Sequence, residues 1–167
     1  MNSVKFVPGR GNPKANVILI GEAPGKEEDF QGKPFVGASG KLLDEALKHV
    51  GWSAEDVYIT NVVKVRPNDN RSPTLEEVAT WLPLLVDEIK RINPVVVITL
   101  GATAARAFNG NTRLTKDHGN TEHVVMDHSP FCVACVYHPS YILRGYAKKA
   151  DWFADFARIK SENGIRL

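Results

Sequence analysis

Asn16-Val17-Ile18-Leu19-Ile20 runs directly into Gly21-Glu22-Ala23-Pro24-Gly25, and this junction decides the fold. An unalternated apolar run suits a strand covered on both faces, as in a parallel sheet flanked by helices. In open parallel α/β sheets, ligands bind at the carboxyl ends of the strands, near the point where strand order reverses. A second junction of this kind lies far downstream, where Cys132–Tyr137 gives way to His138-Pro139-Ser140. Two polar loops from opposite ends of the chain are thus expected to meet over one pocket.

Outward from the first junction, the order of elements is regular. A loop of about 15 residues is followed by Leu42, Leu43, Ala46, Leu47 and Val50 at helical spacing, with Gly51 as a stop. Val57–Val63 reads as a second strand, and a polar loop runs from Lys64 to Pro73. Thr74-Leu75-Glu76-Glu77 has the form of a capping box ahead of a helix carrying Val78, Leu82, Leu85, Val86 and Ile89. Val95–Leu100 gives a third strand, Ala102–Phe108 a short helix, and Cys132–Tyr137 a fourth strand. Trp152, Phe153, Phe156 and Ile159 mark the last helix, while Arg113–Met126 reads only as a small hairpin or irregular loop. Strands alternating with helices predict right-handed crossovers. The expectation is one domain over residues 1–167, a three-layer α/β/α sandwich around a central four-stranded parallel sheet.

Bulk composition narrows the function classes. The chain has 167 residues, 43% hydrophobic and 24% charged, the profile of an ordinary globular domain. Met1-Asn2-Ser3-Val4-Lys5-Phe6 lacks the apolar segment of a secretory signal, and no run reaches the roughly 18 apolar residues of a membrane span. A cytoplasmic protein with no membrane partner is expected. The net charge of +2 excludes little, but Lys64, Arg66 and Arg71 cluster in one loop, and Arg144, Lys148 and Lys149 in another. Both loops follow predicted strands, so they read either as a basic rim for a polyanion or as solvated surface. Cys132 and Cys135 are the only two cysteines. Three residues apart on a strand, they point to opposite faces and suit neither one metal nor a local disulfide.

The residue types at the junctions suggest chemistry. Neither G-x-G-x-x-G nor a Walker motif is present, and Pro24 removes a backbone donor, which argues against a nucleotide-triphosphate cradle. Phe35 is either core or a stacking ring. Asn61 interrupts an apolar strand, so its amide either bonds nearby loop backbone or reads one edge of a planar heterocycle. His138 is either structural or a donor to a developing anion, singled out by its place opposite the Gly21 loop. A ring, an amide, a histidine and the Glu22 carboxylate together suit a flipped-out nucleobase.

At this point the chain resembles the family 4 uracil-DNA glycosylases. The resemblance rests on Gly21–Gly25, Glu28-Asp29, Gly32, Pro34–Gly37 and Gly40–Asp44. Thr60–Pro67, Asn70-Arg71, His138–Ser140 and Leu143-Arg144 continue it in order, over roughly residues 6 to 160. It implies a uracil pocket of Gly21, Glu22, Ala23 and Glu28, with Phe35 stacking, Asn61 reading the base and His138 facing the uracil O2. It implies that Tyr141-Ile142-Leu143-Arg144 penetrates the DNA, and the basic-loop residues Arg66 and Arg71 are then expected as further DNA contacts. It also implies uracil excision from single- or double-stranded DNA; His138 and, from the residues themselves, Glu22 are the catalytic candidates, and a monomer is expected.

Two departures accompany the resemblance. The family holds an iron–sulfur cluster on four cysteines, but here Val65 and Trp81 stand at two of those positions and the amino-terminal pair is absent. No metal or other cofactor is therefore expected, with apolar side chains filling the volume. The second departure is common to the family: Ala23 occupies the place of the water-orienting Asp of other uracil-DNA glycosylases, leaving Glu22 or Asn70 for that task. A non-catalytic DNA- or uracil-recognising module of the same fold is the rival reading, and a generic small-ligand α/β domain a third.

Overall fold

The computed structural model describes residues 5–165. Met1–Val4, part of the stretch read above for a leader, and residues 166–167 lie outside the described residues. Six strands form one sheet: β1 (Arg10–Gly11), β2 (Val17–Gly21), β3 (Tyr58–Asn61), β4 (Val96–Leu100), β5 (Thr121–Met126) and β6 (Ser129–Val136). Their order is β1-β3-β2-β4-β6-β5. The inner four, β3-β2-β4-β6, are parallel. The expected four-stranded sheet is therefore corrected to a mixed six-stranded one, with antiparallel strands β1 and β5 added at the edges. The β5–β6 turn places Asp127 and His128 at φ 49° and 61°, the paired left-handed residues of a tight hairpin.

Helices cover both faces. α2 (Ala38–His49), α6 (Pro139–Leu143) and α7 (Lys149–Glu162) lie on one side. There Leu43, Leu47, Ile142, Trp152 and Phe156 pack on Val17, Leu19 and Ile98. α3 (Leu75–Ile92) and α4 (Ala102–Phe108) lie on the other, where Leu85, Ile89, Ala104 and Phe108 meet Ile18, Ile20 and Val97. Alternate residues of one apolar strand thus feed two separate cores, the physical reason β2 shows no polar face. The short helices α1 (Lys26–Gln31) and α5 (Leu114–Asp117) fall in stretches that read as loop. The capping box forms as its sequence predicts: Glu77 N–H donates to Thr74 Oγ1, and Thr74 N–H to Glu77 Oε1, both at 3.1 Å.

The cysteines occupy opposite faces of β6. Cys132 packs on the α7 side, where its Sγ lies 3.2 Å from Asn163 Oδ1. Cys135 turns the other way, and its thiol donates to the Asp117 carbonyl. Burial pushes that thiol up to about 12, so it is inert at neutral pH.

What positions the site is the crossover pattern. From β2 the chain moves to β3 on one side, then returns across to β4 on the other. Strand order therefore reverses between β2 and β4, and the loops leaving them open a crevice.

Candidate functional site: a pocket over the carboxyl ends of the parallel strands

A cavity of about 640 Å³ occupies this crevice. Glu22–Gly25 after β2, Asn61 at the end of β3, Leu100–Thr103 after β4 and His138 after β6 all line it. Gly21 and Asn61 are register partners, so both junction residues reach the same level.

Gly21 has no room for a side chain. A Cβ there would meet Phe35 Cζ at 2.4 Å and Asn61 Oδ1 at 2.6 Å. The absence of a side chain lets ring and amide close over the strand end. Phe35 itself sits at φ 53°, buried, with its carbonyl accepting from Arg10 Nη2 (3.0 Å) and that of Pro34 from Arg10 Nε (2.9 Å). Gly40 completes this cradle, since a Cβ there would lie 1.9 Å from the Phe35 carbonyl oxygen. The strained turn is held from both sides.

Glu28 lines the pocket but spends its carboxylate on backbone. Oε1 accepts from Gly25 N–H (3.1 Å), and Oε2 accepts from Val36 (3.0 Å) and Gly37 (2.9 Å). It thereby ties the first turn of α1 to the segment carrying Phe35. Glu22 and Ala23 are partly buried in the wall, with Val63 N–H donating to the Glu22 carbonyl.

Asn61 is 3% exposed, and its Oδ1 has no hydrogen-bond partner among the described residues. A buried carbonyl oxygen left unpaired is costly. Asn61 itself lines the cavity wall.

His138 is the N-cap of α6, with Pro139 at the first helical position, where a missing N–H costs nothing. Ser140 N–H donates to His138 Nδ1 (3.0 Å), and the Ser140 hydroxyl lies 2.8 Å from the same nitrogen. An acceptor Nδ1 leaves the proton of neutral imidazole on Nε2. Burial and then the nearby Arg144 push the His138 pKa down to about 4, so this donor is neutral at physiological pH. Its ring centroid lies 6.0 Å from that of Phe35. Gly101, at φ 95°, gives the histidine room, since a Cβ would approach its Cβ to 3.1 Å.

The basic candidates separate. Arg71 and Arg144 line the pocket, and Arg71 is paired to Glu77 (2.6 Å). Arg66 Nε donates to Asn70 Oδ1 (2.7 Å), holding a left-handed Asn70 at the pocket edge. Lys64 corrects the sequence reading of a basic rim. It is 1% exposed and bonded to Glu88 (2.7 Å), because its chain folds back under β3 rather than out to solvent. Lys149 is paired with Glu45. Tyr141 stacks on Tyr137 (4.5 Å, 14°) with Tyr146 tilted against it, whereas Leu143 is 53% exposed on α6.

Sequence reasoning did not single out Ser140 or Gly101. The adjacency His138-Pro139-Ser140 carried the signal for Ser140, since a residue two places past an N-cap offers its N–H back to it.

Set against known proteins, residues 8–159 match the family model described as the uracil DNA glycosylase superfamily. The chain belongs to that superfamily. It is 42% identical over 159 residues to a type-4 uracil-DNA glycosylase of Archaeoglobus fulgidus, covering 92% of this chain and 80% of the relative. A type-4 enzyme of Thermotoga maritima is 44% identical over 146 residues, or 86% and 74%. A type-5 uracil-DNA glycosylase of Pyrobaculum aerophilum is 34% identical over 152 residues, covering 80% of this chain and 65% of the relative. In this member of the uracil DNA glycosylase superfamily, Glu22, Ala23, Glu28, Phe35, Asn61 and His138 line one pocket, and Gly21 lies against Phe35 and Asn61.

Proposed function

We propose that the protein is a DNA glycosylase that flips uracil out of DNA and hydrolyses its N-glycosidic bond, the opening step of base excision repair. The observation that carries this reading is the buried, unpartnered Asn61 Oδ1 beside Phe35 and His138. Uracil presents an N–H donor between two carbonyls. Asn61 Oδ1 takes that N–H while Nδ2 gives to O4, and cytosine, with an amine at the O4 position, offers the opposite pattern. Phe35 supplies a face for the base to stack on.

Cleavage breaks the C1′–N1 bond, and its electron pair goes to the base, accumulating on O2. Nε2–H of neutral His138 stabilises that charge as it develops. The sugar becomes oxocarbenium-like, water adds at C1′, and its surplus proton passes to solvent. Glu22 offsets the positive sugar and orients the water, with Asn70 as the alternative. Ala23 has no group for either task. Leu143 enters the space vacated by the base, flanked by Tyr141, while Arg66, Arg71 and Arg144 serve the phosphates.

The residues present do not fit an iron–sulfur cluster. Such a cluster needs four thiolates, and this chain has two cysteines, both on β6. Val65 and Trp81 pack instead against the α3-side core, and Trp81 lies 6.0 Å from the Phe6 ring. No step of the mechanism runs through a metal. The reading places the enzyme in the cytoplasm as a monomer acting on single- or double-stranded DNA. Among the described residues no helix is long and apolar enough to cross a membrane.

Release of free uracil tests the reading. The protein should liberate it, by chromatography, from uracil-containing oligonucleotides but not from thymine-containing ones. DNA binding without any release would favour the non-catalytic module.

A further inference from the structure

Directly beneath the base-reading amide lies a charged pair that the mechanism above does not use. Lys64 Nζ donates to the Asn61 carbonyl (2.6 Å), to Glu88 Oε1 (2.7 Å) and to Thr60 Oγ1. The three protons of the ammonium are thereby all placed. Glu88 arrives from α3 on the far side of the chain's next crossover. Its Oε1 also accepts from Thr60 Oγ1 (3.2 Å), and its Oε2 accepts from the Tyr58 hydroxyl (2.6 Å). Every residue from Tyr58 to Asn61 except Ile59 is thus tied by a side chain or carbonyl to one buried ion pair.

Burying two charges is expensive, and a hydrophobic pair of the same volume often serves stability as well or better. The pair therefore calls for a reason other than stability. Asn61 supplies one. Its Oδ1 has no partner to orient it before the base arrives, so its direction is set by the backbone that carries it. That backbone ends a strand at Asn61 and immediately turns, with Val62 and Val63 N–H groups bonding back to the Gly21 and Glu22 carbonyls. The ammonium holds the Asn61 carbonyl at this turn.

We propose that Lys64, clamped by Glu88, is a positioning residue for base recognition, fixing the Asn61 peptide so that its amide meets the uracil edge without searching. The proposal rests on the assignment of Asn61 as the base reader. Holding a recognition group in place before the substrate arrives removes an ordering cost from the reaction. Burial pulls the Lys64 pKa below its ordinary value, and the Glu88 carboxylate beside it offsets part of that shift.

Removing Lys64 alone would strand the Glu88 charge and confuse misfolding with misplacement, so the test is the paired variant Lys64→Met with Glu88→Gln. It should keep the wild-type melting temperature within a few degrees and bind an abasic-analogue oligonucleotide with unchanged affinity. Its single-turnover uracil excision should fall about tenfold or more, since misplacement by about an ångström can cost roughly a hundredfold. The side-chain amide signals of Asn61 in ¹⁵N spectra should broaden or shift. Glu88→Gln alone, which preserves every volume, is the second arm, with a smaller loss of rate in the same direction. A folded variant of either kind that excises uracil at the wild-type rate overturns the proposal. Equal losses of stability, DNA affinity and rate also overturn it, by reducing the pair to structural support. If wild-type protein releases no uracil, the functional reading itself has failed, which is a separate result.

Discussion

His138 reaches the pocket as a helix N-cap, and this local geometry sets its chemistry. Ser140 N–H occupies Nδ1, so Nε2–H is the donor. His138→Ala should lose about a hundredfold or more in single-turnover rate while keeping DNA affinity, since one anion-stabilising donor is worth that much. Ser140→Ala should cost far less, because the backbone N–H that fixes the tautomer survives. The pH dependence follows from the pKa of about 4. The unfolded chain takes up this proton near 6.5 and the folded one only near 4, so between those values the unfolded state holds more protons. Stability from this group is full above about pH 6.5 and declines as pH falls toward 4. Excision should stay flat with respect to His138 down to about pH 5, then fall as Nδ1 takes a proton and loses the Ser140 bond. A rate–pH profile that breaks near 6.5 would contradict this burial argument. Asn61→Asp replaces a donor with a second acceptor, so uracil excision should drop at least tenfold. Cytosine release is the gain to look for in the same assay.

At the scale of elements, the junction after β2 does the positioning. Gly21→Ala would drive a Cβ into the Phe35 ring and Asn61 Oδ1, displacing both. It should cost about 1–3 kcal/mol of stability by denaturant titration and remove most uracil excision. Arg144→Ala, on the segment after His138, should weaken oligonucleotide binding and reduce the salt slope by about one. An unchanged slope would take Arg144 off the phosphates. The inner strands were legible because Val17–Ile20 and Val96–Leu100 feed two cores and carry only one polar residue, Thr99, before the site begins. The edges were not. β1 is two residues long, and β5 exposes Glu122, His123 and Val125, so its apolar residues follow no clean alternation. Asn61 and His138 were legible as polar residues at the ends of apolar strands, and Phe35 as a ring in the loop after the first strand, there left open between core and stacking. Lys64 was misread because a lysine beside Arg66 looks like surface, and its partner Glu88 is 24 positions away on another element.

The whole molecule is a doubly covered sheet whose reversal of strand order creates a crevice, and Glu22, Phe35, Asn61 and His138 line it. Where the family resemblance implies a metal cluster, this chain has Val65 and Trp81 packed into a core. Purified protein should therefore be colourless, and elemental analysis should find no stoichiometric iron. A broad visible band with about four irons per chain would contradict that. The central claim is that this pocket cuts the bond between uracil and deoxyribose. The most direct measurement is strand scission of an oligonucleotide carrying one uracil, after incubation with the protein and then alkali. Wild-type protein should yield a single break at the uracil and none in a thymine control, and His138→Ala should yield almost none. An intact uracil strand with folded wild-type protein, or equal scission by folded His138→Ala, would contradict the account.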